Sequence, residues 1–63
     1  MFIFDVTFKD GSGFRGTTAH YLEFEEDKIY FYRTEADYRK YGPYNHDKMS
    51  LISNVDKYFV ISL

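Results

Sequence analysis

The sequence predicts a mainly β, β-rich α+β domain: a small antiparallel curled sheet, or an SH3-like or OB-like barrel, of four to five strands with one short helix near residues 35–41. Three observations lead there. Apolar residues recur at every second position over short stretches, Gly, Asp and Asn collect at the breaks between them, and only one segment carries both a start and a stop signal for a helix. Hairpin connections between short strands leave a closed or curled sheet as the natural way to bury one face of each.

The first strand is Phe2-Ile3-Phe4-Asp5-Val6-Thr7-Phe8, with Phe2, Phe4, Val6 and Phe8 on one side and Ile3, Asp5 and Thr7 on the other. Lys9-Asp10-Gly11-Ser12-Gly13 follows, and its Asp-Gly pair supplies the tolerance of positive φ that a tight reversal needs. Glycines of this kind also cradle phosphates, but neither Walker nor dinucleotide spacing is present and no helix follows, so the segment reads as a turn. From Phe14 to Phe24 two readings compete. Thr18 could cap a short helix through Leu22, yet Leu22 and Phe24 fall on one face with Tyr21 and Glu23 on the other, which favours one long strand bulged near Gly16.

Lys28-Ile29-Tyr30-Phe31-Tyr32-Arg33 is the expected central strand, with Ile29 and Phe31 in the core and Tyr30 and Tyr32 on the opposite face. Leu22-Glu23-Phe24-Glu25 has the same period, which makes Glu26-Asp27 the turn between them and sets Glu23 and Glu25 together on an outward face. Paired carboxylates can serve a metal or acid–base chemistry. Without a convergent histidine or asparagine, these read as a solvated strand edge.

Thr34 to Gly42 is the helical segment: Thr34 as N-cap, Glu35 and Asp37 in the first turn, Arg39 and Lys40 in the last, Gly42 at the end. A hairpin loop around Glu35-Ala36-Asp37 is the rival, because so short a helix has little stability of its own. Pro43-Tyr44-Asn45-His46-Asp47 has loop composition. The chain closes with a short apolar segment at Met49–Ile52, a turn at Ser53–Asp56, and a last strand from Lys57 that sets Phe59, Ile61 and Leu63 on one face and Tyr58 and Val60 on the other.

The 63 residues read as one complete domain, 1–63. A chain this short buries only about 60% of its extended surface and needs a staple. Cysteine is absent, which excludes disulfides, thiolate zinc sites and cysteine nucleophiles and suits a reducing cytoplasm. Seven Phe and seven Tyr take over that role. Each large ring buries roughly 150–250 Å², but so many phenols cannot all hide their hydroxyls, so some must line the surface. A net charge of −2 supplies no field toward nucleic acid or anionic lipid, and no apolar run is long enough to enter a membrane.

Hydrolytic chemistry needs a nucleophile and an oriented base, and the only histidines are His20, mid-strand, and His46, in a turn. Neither has the companions of a catalytic or metal set, so no enzyme activity, cofactor or metal is expected. The more informative constellation runs from Tyr30 to Tyr44. Tyr30, Tyr32, Tyr38, Tyr41 and Tyr44 lie there together with Arg33, Arg39 and Lys40. Tyrosine and arginine both favour interface hot spots, the first for a rigid face with few rotors and the second for its stacking and forked hydrogen bonding.

A non-enzymatic protein-binding module follows, of the kind that serves as a compact inhibitor or adaptor and that mobile genetic elements encode. Its expected binding residues are Tyr30, Tyr32, Arg33, Tyr38, Arg39, Tyr41 and Tyr44. The alternative is a single-stranded nucleic-acid binder in which Tyr30 and Tyr32 stack bases and Arg33, Arg39 and Lys40 contact phosphates. Acids at Glu35 and Asp37 interrupt that basic stretch and place this reading second. A short core, two open sheet edges and surplus aromatic surface also lead us to expect a homodimer at micromolar concentration.

Overall fold

A computed structural model describes all 63 residues. The elements in chain order are β1 (Phe2–Phe8), β2 (Gly13–Thr18), β3 (His20–Phe24), β4 (Lys28–Tyr32), α1 (Glu35–Tyr41), a 3-10 turn (His46–Lys48), β5 (Ser50–Ile52) and β6 (Val55–Ser62). They form two antiparallel sheets of three strands, ordered β2-β1-β6 and β3-β4-β5. The mainly β class is therefore as expected, and the expected 35–41 helix is present.

Six strands replace the four or five expected because one segment read as a single strand serves both sheets, and the last strand begins at Val55, inside the expected Ser53–Asp56 turn. The segment 14–24 is not one strand bulged at Gly16: it turns a corner at Ala19, leaving β2 against β1 and β3 against β4. The corner is stitched from inside. Thr18 is fully buried, its hydroxyl lies 2.9 Å from the carbonyl oxygens of both His20 and Tyr32 and shares its one proton between them, and the Ala19 amide donates to the same Tyr32 carbonyl at 2.8 Å. A second corner at Ser53-Asn54, where Asn54 takes φ 59°, passes the chain from β5 to β6.

The core is the space between the two inner faces. Phe4 and Val6 from β1, Ile29 from β4 and Val55 from β6 are buried there, with Phe14, Tyr21, Ile52, Tyr58 and Val60 packed around them. Phe4 is the hub: its ring lies 5.3 Å from Tyr21, 5.4 Å from Tyr58 and 6.1 Å from Phe31. A Cα envelope only 13 Å thick fits two sheets stacked about 10 Å apart on these rings.

Register corrects several expected faces. Tyr21 stands opposite Phe31 and Glu23 opposite Ile29, so Leu22 and Phe24 share the outer face with Tyr30 instead of entering the core. The β3–β4 turn takes in Glu25 as well as Glu26 and Asp27, with Glu25 at φ 64°, so Glu23 and Glu25 do not form a strand pair. On β6 the expected alternation holds, with Tyr58 and Val60 inward and Phe59 and Ile61 exposed. Tyr32 is the largest correction. It lies on the outer face yet is only 1% exposed, because α1 and the loop after it fold across that end of the second sheet and cover it.

Candidate functional site

The outer face of the second sheet carries one row of residues fixed by pairing: Leu22 opposite Tyr30, and Tyr30 opposite Leu51, with His20 and Tyr32 at one end and Phe24 at the other. Its two ends have different fates. At the His20 end, α1 lays Tyr38 over the sheet, its ring stacked 4.7 Å from His20 and tilted 5.8 Å from Tyr32. The Tyr32 hydroxyl then accepts the Asn45 amide at 2.9 Å, which ties the loop down and satisfies a buried phenol.

At the other end the face is open. Phe24 meets Tyr30 edge-on at 5.8 Å, and the Tyr30 ring is stacked 4.4 Å beneath His46 with only 10° between the planes. Phe24 is 43% exposed and Leu51 51%. In the loop after α1, Tyr44 is 64% exposed with its ring 5.8 Å from His20, toward the covered end, and a shallow hollow of about 540 Å³ is lined by residues 41–47. Lys40 and Lys48 both hold their ammonium groups over the Tyr41 ring, at 5.2 and 5.3 Å.

Local sequence explains why α1 forms where it does. Thr34 Oγ1 accepts the Asp37 amide at 3.1 Å, the expected N-cap, and the Gly42 amide bonds back to the Tyr38 carbonyl at 2.8 Å. Gly42 is required by contact: a Cβ there would lie 2.5 Å from both the Tyr38 carbonyl oxygen and its ring. Acids in the first turn and Arg39 and Lys40 in the last complement the helix dipole.

Of the seven binding residues expected from sequence, the fold thus divides the set. Tyr30, Tyr41 and Tyr44 are brought to the open face and its adjoining loop. Tyr32 is core and Tyr38 is its lid. Arg33 lines a different hollow, with Phe14, Arg15, Gly16, Thr17 and Thr34, and Arg39 is a solvated side chain 3.9 Å from Glu35. Phe24, Leu51, His46 and Lys48 were missed. Only Phe24 had a signal, once its place opposite Lys28 across the turn is allowed to move it to the tyrosine face; Leu51 and His46 arrive through pairings of distant segments.

His20 keeps Nε2 buried without a hydrogen-bond partner, between Tyr38 and Tyr44, and His46 lies flat on Tyr30. No three His, Asp or Glu side chains are gathered around a point that could hold a metal. Asp10, held below the usual carboxylate range by hydrogen bonds from the Ser12 hydroxyl and amide, is on the β1–β2 turn. No helix is long and apolar enough to cross a membrane. Comparison of the chain with protein-family models, with curated proteins and with solved structures finds no match.

Proposed function

We propose that this chain is a non-enzymatic protein-binding module, a small cytoplasmic inhibitor or adaptor, which recognises its partner through the outer face of the second sheet and the loop after α1. The observation that carries the reading is the Phe24–Tyr30–His46 stack with exposed Leu51 beside Tyr30, on the same face whose other end carries exposed Tyr44 against His20. Rings that already rest on one another have lost most of their rotamer freedom, so a partner need not order them again on binding. Isolated surface aromatics carry no such meaning, whereas a contiguous apolar ridge does.

A single-stranded nucleic-acid reading stands second, favoured by Lys40 and Lys48 on the Tyr41 ring, since an aromatic plane with ammonium groups at its margin suits a stacked base with its phosphate. Salt separates the two. The immobilised chain is used to capture its partner from host lysate with and without nuclease, and affinity for the recovered molecule is then measured for the parent and for Tyr44→Ala with Phe24→Ser, at low and physiological salt. Protein recognition predicts a nuclease-resistant partner and a loss of at least ~2 kcal/mol in the double variant, little changed by salt. A nuclease-sensitive partner whose affinity falls steeply with salt supports the nucleic-acid reading. Parental affinity in the double variant would remove this face from consideration.

A further inference from the structure

The longest strand of the molecule is also one of its edges. β6 pairs with β1 alone. Its hydrogen bonding can be followed from two fixed points: the Leu63 amide bonds back to Met1, and the Phe8 amide bonds to Ser12 on the opposite side of β1. Alternation along an antiparallel ladder then turns the odd residues of β6 toward β1 and leaves the amides and carbonyls of Tyr58, Val60 and Ser62 on the open side. The outer face of the same stretch presents Phe59, 58% exposed, and Ile61, 41% exposed.

The other edges are guarded. β5 has three residues, β2 carries Arg15 between two glycines, and β3 carries Glu23 one residue before its end at the acidic turn. Short length, charge and glycine are the usual means of keeping an edge from pairing. From Tyr58 to Ser62, β6 has none of them.

We infer that β6 is the docking surface for a second copy of this chain, joined antiparallel about a twofold axis at Val60 so that two three-stranded sheets become one of six. This register sets Val60 opposite Val60 and Tyr58 opposite Ser62, using all three free amides of each copy. It also places Phe59 against Ile61 of the copy, twice, on the outer face. Charge selects it over its neighbours. Asp56 and Lys57, the only charged residues of the strand, sit together at its start, so antiparallel pairing at Val60 sends the two lysines to opposite ends, whereas pairing about residue 57 would bring them face to face. An isologous contact of this kind closes after two copies and leaves no further edge of the same type. The tyrosine ridge lies on the other sheet, so this inference stands or falls apart from the proposed function.

Light scattering across the micromolar range tests it, together with single cysteines placed in a chain that has none. The parent mass should rise toward twice 7.6 kDa, while Phe59→Lys and Ile61→Lys should stay at 7.6 kDa. Both positions are solvent-facing, and Asp5 stands opposite residue 59, so a lysine there gains an opposite charge and the monomer stays folded, as its melting curve will record. Under mild oxidation Val60→Cys should form a disulfide-linked dimer, since residues paired across a ladder lie about 5.5 Å apart, within disulfide reach. Thr17→Cys, on the open edge of β2, should not. A parent that remains at 7.6 kDa throughout, a Phe59→Lys variant that associates like the parent, or cross-linking through residue 17 in place of 60 would each overturn the inference, as would uptake of a foreign extended peptide by a monomeric parent.

Discussion

Tyr32 is where alternation alone misleads. Period two assigns it and Phe31 to opposite faces correctly, but the conclusion that one face is dry and the other wet holds only for a sheet covered on one side. Here both residues are buried, at 1% and 3% exposure, because Tyr38 and the Asn45 backbone close over the second face. Two variants distinguish ring from hydroxyl. Tyr32→Ala should cost roughly 3–5 kcal/mol, enough to unfold a domain of this size, and so should behave like Phe31→Ala. Tyr32→Phe keeps the ring and removes the hydroxyl that accepts the Asn45 amide and donates weakly to the Asn45 carbonyl, and should cost about 1 kcal/mol. Urea unfolding of the three variants provides the check; a parental midpoint for Tyr32→Ala would show that α1 does not seal this end of the sheet.

α1 is the element most fully legible in advance, since cap, charge placement and stop signal are all written within ten consecutive residues and all are met. What it does was not legible. Seven residues have no independent stability, and α1 has no buried residue of its own; it is held by its cap, by Tyr38 on His20 and by the Gly42 contact. Tyr38 and Tyr41, three positions apart, do not form one outward face, because position 38 is spent on the sheet. Gly42→Ala should therefore be far more disruptive than Gly16→Ala, even though both add one methyl. At position 42 the new carbon meets fixed backbone at 2.5 Å, for a cost of about 1–3 kcal/mol, whereas at position 16 its nearest neighbour is the far end of the Phe14 ring at 3.1 Å, which needs to give by only a few tenths of an ångström. Thermal melts of the two variants should separate clearly, with loss of the Tyr38 ring contacts in the NMR spectrum of Gly42→Ala alone.

In the molecule as a whole, hairpins were readable and corners were not. The β1–β2 turn announces itself through Asp10-Gly11, with Gly11 at φ 88°, because a turn's chemistry is local. A corner such as Ala19 has no comparable signature: it exists because Thr18 finds carbonyls of two other residues to satisfy, one of them on β4. The same holds for the candidate face, where Tyr30 and Tyr44 belong to a visible cluster but Phe24 and Leu51 join it only through sheet register. The pairing of β1 with β6 has one further consequence, for the behaviour of the chain under force. Residues 1 and 63 sit side by side at one end of that ladder, joined by the Leu63–Met1 bond, so tension applied between them peels the two strands apart crosswise and breaks their hydrogen bonds one after another. Tension applied between Met1 and Asn54, at opposite ends of the ladder, instead loads every bond of the pair at once in shear. Single-molecule pulling through these two pairs of attachment points should yield a distinctly lower rupture force for the first.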